Sequence, residues 1–302
     1  MRFTGSICAI VTPFTPDGEL DLAAFERLLD WHRDAGTEAI VVAGSTGESA
    51  ALEEAEFEAL VATAASRLDG SLPVIAGCGA AATHKAARLV ARARLSGADA
   101  ALVVTPYYVR PTQEGLYRHY SARADGGELP VVLYNVPGRT GCDLLPETVA
   151  RLAPHPMIVG VKEARPDEER MQALLALRDD GFAVLSGDDP TAARAMLAGA
   201  DGVISVAANA CPAAFRKLCG LVRERRGDAA RALDAELAPL YGFLGVEPNP
   251  IPVKWLLARQ GRIASALRLP LTELTAAHHA AANESLALLD RVERGSGASR
   301  AA

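Results

Sequence analysis

Lysine is nearly missing from this chain of 302 residues. Only Lys85, Lys162, Lys217 and Lys254 occur, and arginine supplies the rest of the 31 basic residues. No basic stripe interleaved with aromatics is present and the net charge is -6, which argues against a nucleic-acid partner. No apolar run reaches the length of a membrane span. The N-terminus, Met1 to Ser6 and the short apolar stretch ending at Thr12-Pro13, lacks the small-residue cleavage site of a signal peptide, so a cytoplasmic location is expected. The five cysteines contain no CxxC pair, and an odd, scattered set reads as reduced thiols. The six histidines show no metal-ligand spacing with them, and the neighbours His278 and His279 do not share a helix face, so no metal site is expected.

What is present is an apolar half of the chain, enough for a sizeable core. Short, β-branched apolar runs recur at residues 7–11, 39–42, 73–76, 101–104, 131–134, 158–161, 183–185 and 203–206. Amphipathic stretches rich in Ala, Leu, Glu and Arg lie between them, for example at 22–35, 53–67 and 83–95. Such alternation predicts a parallel sheet with crossover helices. Near-continuous apolar strands suit a sheet buried on both faces. Eight strand–helix units within residues 1–225 predict an α/β fold, a (β/α)8 TIM barrel; an open doubly wound sheet usually needs fewer units. After Arg225 the strand signal stops. Residues 227–246, 252–260 and 271–294 read as a C-terminal helical extension, 226–302, whose small, polar tail from 295 onward is expected to fray.

In a barrel of this kind chemistry sits at the C-terminal ends of the strands. The second strand ends in Gly44-Ser45-Thr46-Gly47-Glu48, where close backbone approach and successive N–H groups could hold a carboxylate; a tight turn with a hydroxyl cap is the plainer reading. Thr105-Pro106-Tyr107-Tyr108 ends the fourth strand and Tyr134-Asn135 the fifth, so three of the six tyrosines lie at these two ends. Each could shuttle protons or pack the rim. Arg139, in the glycine-rich turn that follows, suits bidentate capture of a carboxylate or a surface ion pair. The sixth strand, 157–164, carries the sharpest signal, because Lys162 closes an apolar run. Apolar surroundings disfavour the ammonium, and a neutral amine attacks ketones to form imines. Anion binding and an ion pair with Glu163 are the competing uses. Lys85 and Lys217 lie on Arg-rich helical stretches and read as solvated, while Lys254 lies in the extension beside Trp255. The seventh and eighth strand ends lack a glycine-rich phosphate site, which argues against a sugar phosphate.

These stretches together identify a resemblance. Val104-Thr105-Pro106-Tyr107-Tyr108, Tyr134-Asn135-Val136-Pro137-Gly138-Arg139-Thr140-Gly141, Gly160-Val161-Lys162-Glu163, Leu185-Ser186-Gly187-Asp188-Asp189 and Val246 through Trp255 are similar to motifs of the dihydrodipicolinate synthase family. That family belongs to a group with N-acetylneuraminate lyase and the 2-keto-3-deoxy sugar-acid aldolases, and the likeness runs from Phe3 to about Leu271. It implies condensation of pyruvate with L-aspartate 4-semialdehyde in lysine and diaminopimelate biosynthesis, by a homotetramer. No cofactor is implied beyond the covalent pyruvate imine on Lys162. By the resemblance Tyr134 shuttles protons, Thr46 relays them, and Tyr108 reaches in from a neighbouring subunit. Ser45 and Thr46 bind the pyruvate carboxylate, Arg139 holds that of the semialdehyde, and Gly187 and Ile204 supply backbone near the imine. Ser45 replaces the family's usual threonine and keeps its hydroxyl. In members inhibited by lysine, a pocket of histidines, an asparagine and a glutamate binds the amino acid. The corresponding positions here hold Glu54, Phe57, Ala81 and Lys85, which predicts weak or absent inhibition. A sister lyase or dehydratase acting on a 2-keto-3-deoxy sugar acid would share Lys162 and Tyr134; Arg139 separates the two.

Overall fold

The structure, a computed structural model, describes residues 2–297. Eight parallel strands close in chain order: β1 (Gly5–Ala9), β2 (Ala39–Val42), β3 (Val74–Gly77), β4 (Ala100–Val104), β5 (Val131–Asn135), β6 (Ile158–Glu163), β7 (Ala183–Ser186) and β8 (Gly202–Ser205). β8 pairs back onto β1, with Ile7 opposite Ile204. Every expected apolar run carries a strand. The first starts two residues early, at Gly5, because the Glu38 carboxylate accepts the Ser6 N–H at 2.7 Å and Gly5 pairs with Gly202. Hydrophobicity alone does not mark such a polar start.

Helices follow each strand, and their starts are chemically legible. Asp21 accepts the Ala24 N–H ahead of Leu22–Asp34, and Glu53 with Glu56 forms a capping box for Glu54–Leu68. Proline opens Pro146–Leu152 and Pro212–Arg223. Two cores result. Ile7, Ala9, Val41, Ile75, Leu102, Val132, Leu185 and Ile204 fill the barrel, while Cys8, Ile40, Val42, Val74, Val103, Leu133, Val184 and Val203 pack outward against helices. Two buried faces explain the unbroken apolar strands.

β6 departs from this alternation, and the departure aims Lys162. Ile158 faces the helices and Val159 the interior, so strict alternation would turn Lys162 outward. The pairing slips instead: Val131 partners Ile158, whereas Val132 partners Gly160. One extra residue returns Val161 to the outer layer and brings Lys162 inward, beside Tyr134 on β5. A Cβ on Gly160 would lie 2.6 Å from the Ala183 carbonyl oxygen, so the slip depends on glycine.

The extension contains Gly227–Leu244, Ile251–Arg259 and His279–Gly295. Residues 271–275, expected to be helical, are not: the Glu247 carboxylate takes the Thr275 N–H and hydroxyl at 3.3 and 2.6 Å, and helix starts only beyond. The expected fraying of the tail largely concerns residues 298–302, which lie outside the described residues. All five cysteines are free and buried. Among the described residues no helix is long and apolar enough to cross a membrane, and no cluster of His, Cys, Asp and Glu could hold a metal.

Candidate active site

The C-terminal strand ends surround a cavity of about 280 Å³. Ser45, Thr46, Tyr134, Arg139, Lys162 and Gly187 line it, six residues drawn from four strand ends. Ile204 lies beneath them in the barrel core with Tyr134. Tyr108 does not take part from this chain. It stands 90% exposed in the left-handed region (φ 73°) on a loop with the exposed Tyr107 and Val109.

Lys162 and Tyr134 are register partners on β6 and β5. The Lys162 Nζ lies 4.4 Å from the Tyr134 ring centroid, and both residues are buried. Among the described residues Lys162 forms no salt bridge, and its neighbour Glu163 is not its partner. Glu163 points to the outer face, where it binds Arg170 Nε at 2.6 Å and the Asn135 amide at 3.1 Å. Burial raises the Glu163 carboxyl above its usual range, and Arg170 opposes that. Asn135 in turn donates to Asp143 and accepts from Leu144 N–H, each at 2.9 Å. The inward members of β5 and β6 are therefore available for chemistry, while their outward neighbours lock the strand ends.

Gly187 makes room for the reactive side chain. A Cβ there would come within 2.7 Å of Lys162 Cε and 2.9 Å of its Cγ. Beside it, Asp189 accepts the Val206 and Ala207 N–H groups at 3.1 and 2.8 Å. Burial raises its carboxyl, and its hydrogen bonds and the Lys162 charge oppose the shift.

The Ser45–Thr46 turn is not a helix cap, since Glu53 performs that role for the following helix. The turn is held from below. Thr12 Oγ1 donates to the Gly47 carbonyl at 2.7 Å. Glu48, itself in the left-handed region, accepts Lys254 Nζ at 2.6 Å and the Arg268 N–H at 3.1 Å. Lys254 is fully buried, a second lysine within the barrel's top that its helical setting had disguised. From the extension come further lining residues, Tyr241, Leu244 and Asn249. Asn249 donates its amide to Thr46 Oγ1 at 3.0 Å, and its carbonyl accepts Arg139 Nη2 at 3.3 Å. Strand-end reasoning misses them because no strand carries them; the conspicuous run Glu247-Pro248-Asn249-Pro250 was the available signal. Arg139 makes no salt bridge among the described residues; it lines the cavity, with its Nη2 donating to the Asn249 main-chain carbonyl at 3.3 Å.

A family model described as the dihydrodipicolinate synthetase family matches residues 2–288. The chain belongs to the dihydrodipicolinate synthetase family. A curated relative from Xanthomonas axonopodis pv. citri, a 4-hydroxy-tetrahydrodipicolinate synthase, is 58% identical over 283 residues, covering 94% of this chain and 93% of its own. The dihydrodipicolinate synthase of Acinetobacter baumannii, solved with pyruvate, superposes with a TM-score of 0.93 at 45% identity, covering 95% of this chain and 99% of that one. The enzyme of Cyanidioschyzon merolae, solved with lysine bound, gives 0.92 at 34% identity, covering 96% and 99%. Family membership makes this chain a pyruvate-condensing lyase, and the closed eight-stranded barrel is the family's scaffold.

Proposed function

We propose that this chain is a 4-hydroxy-tetrahydrodipicolinate synthase that joins pyruvate to L-aspartate 4-semialdehyde through an imine on Lys162. The observation that carries the reading is Lys162 itself, a buried amine lining the strand-end cavity with its Nζ 4.4 Å from the Tyr134 ring centroid and, among the described residues, no salt bridge. Its Nζ attacks C2 of pyruvate, and Tyr134 and Thr46 deliver protons to the departing hydroxyl, which leaves as water. The imine loses a proton from C3 to give an enamine. That carbon attacks the semialdehyde carbonyl, whose oxygen takes up a proton, while Arg139 holds the substrate carboxylate. The substrate amine then adds to C2 and expels Lys162 as a free amine, closing the ring. Ser45 and the Thr46 turn seat the pyruvate carboxylate, and Gly187 and Ile204 offer backbone near the imine. No cofactor is needed for these steps.

Tyr108 would complete the relay of a neighbouring subunit in a tetramer, which accounts for a tyrosine standing 90% exposed beside a cavity it does not enter. Inhibition by lysine should be weak. Lys85 is exposed at the position of a glutamate, and Glu54 is engaged by Arg88 and Arg92 at 3.2 and 2.7 Å. Half-inhibition at micromolar lysine would refute that part.

Borohydride reduction in the presence of pyruvate, followed by intact-mass and peptide analysis, tests the whole. A pyruvate adduct on Lys162 together with consumption of aspartate semialdehyde supports the synthase. An adduct with turnover of 2-keto-3-deoxygluconate instead identifies a sister aldolase, and the absence of any adduct defeats the mechanism.

A further inference from the structure

We infer that Asn249, from the helical extension, is a positioning residue that sets the direction of the Thr46 hydroxyl and thereby the polarity of the proton relay. The inference rests on the relay reading above and goes beyond it.

A threonine hydroxyl has one proton and two lone pairs. The Asn249 Nδ2 donates to Thr46 Oγ1 at 3.0 Å, which occupies one lone pair and leaves the Thr46 proton to point elsewhere. Thr46 is buried and lines the same cavity as Tyr134 and Lys162, so that proton remains for a partner within the cavity. Without the amide the hydroxyl rotor is free, and the relay must first select its orientation.

Two further features separate this arrangement from ordinary packing. The Asn249 side-chain oxygen is buried and, among the described residues, has no hydrogen-bond partner. The reversed amide would make Thr46 the donor, consume its only proton and orphan the NH2 group instead. The orientation with Nδ2 toward Thr46 is therefore the one a relay can use. Meanwhile the main-chain carbonyl of Asn249 accepts Arg139 Nη2 at 3.3 Å. One residue, 203 positions from Thr46 in sequence, thus touches both the relay hydroxyl and the arginine assigned to the second substrate. The first contact uses the side chain and the second does not, so mutation separates them.

The test is a double-mutant cycle between Asn249→Ala and Thr46→Val, read by the rate of borohydride-trappable adduct formation with pyruvate alone and by steady-state kinetics. Asn249→Ala should slow adduct formation about 10-fold or more, with the KM for aspartate semialdehyde changed less than about 3-fold because the carbonyl remains. Asn249→Asp, which offers only acceptors at neutral pH, should be at least as slow although it fills the same space. In a Thr46→Val background the Asn249→Ala change should add less than about 2-fold. An unaltered adduct rate in Asn249→Ala overturns the inference, and so does a defect of equal size in the Thr46→Val background, which marks a structural role. If the unchanged enzyme forms no adduct on Lys162, the relay reading and this inference fall together; if it does, and only the Asn249 results disagree, the inference alone fails.

Discussion

Lys162 and Lys254 are both buried near the top of the barrel, yet the fold treats them in opposite ways. Lys254 meets Glu48 at 2.6 Å and the Thr12 carbonyl at 2.9 Å, with the Phe14 ring 4.5 Å from its Nζ. Lys162 has the Tyr134 ring at 4.4 Å and, among the described residues, no salt bridge. A buried ammonium needs a partner to remain charged at tolerable cost. The partner is built in where the lysine is a fastener: Lys254 ties the extension to the turn that carries Ser45 and Thr46. Lys162, which lines the cavity, is not tied down in this way. Sequence position alone distinguishes the two poorly, since each lysine follows a valine in an apolar stretch.

The strongest way to break this contrast is to remove each lysine in turn. Lys162→Met should abolish the pyruvate adduct while leaving resistance to urea nearly unchanged, because among the described residues Lys162 forms no salt bridge that the change would break. Lys254→Met should do the reverse. It strands the buried Glu48 carboxylate and should cost about 3–5 kcal/mol of stability. Equal stabilities for the two variants would mean that the Glu48 pair does not fasten the turn.

A finer test varies space and not charge. Gly187→Ala places a methyl against Lys162 Cε and Cγ. The side chain must swing aside, and kcat should fall about 100-fold while stability changes little. A near-normal kcat would show that Lys162 tolerates displacement and that its aim matters less than its lack of a partner.

The outer face supplies the third test. Arg170→Met leaves Glu163 buried beside the neutral Asn135 amide and should cost about 3 kcal/mol. The damage should reach the chemistry too, since Glu163 and Asn135 are chain neighbours of Lys162 and Tyr134. Stability loss with kcat intact would separate the outer network from the inner pair.

These tests also show where the sequence is legible. Strand runs and the strand-end residues Lys162, Tyr134, Arg139, Ser45 and Thr46 rest on local pattern, and the cavity gathers all five; the hydroxyl-cap reading of Ser45 and Thr46 fails, because Glu53 caps that helix. The inward turn of Lys162 was not legible, because it depends on a one-residue slip between β5 and β6 that periodicity alone contradicts. Neither was the Glu48–Lys254 pair, whose members lie 206 residues apart, nor the reach of Asn249 across 203. Such contacts arise only when the extension packs back on the barrel. The Glu163 alternative for Lys162 failed for the same physical reason that makes strands readable, because neighbours on a strand face opposite sides.

The smallest effect concerns a third kind of buried charge, one partnered by backbone and not by a close cation. Glu293 accepts the Ala214 N–H at 2.9 Å at the start of Pro212–Arg223, and burial pushes its carboxyl up to about 7, with Arg262 only partly opposing. The unfolded chain releases this proton near 4.5, before the folded protein does. Between those values the native state holds more protons, so Glu293 makes stability fall as pH rises from about 4.5 to about 7. His32 acts with the other sign. Burial holds its imidazole down at about 3 against 6.5 unfolded, so the folded state holds fewer protons and stability falls as pH drops from 6.5 toward 3. Because His32 and His119, the latter held at about 4 by burial, make stability rise with pH over much of the same range, Glu293→Gln should show itself as a pH 7 stability raised relative to that at pH 4.5 by on the order of 1–3 kcal/mol. Urea midpoints across pH 4 to 8 read this directly. A parallel shift of the whole curve would mean that Glu293 stays charged throughout, paired with Arg262 as firmly as Glu48 is with Lys254.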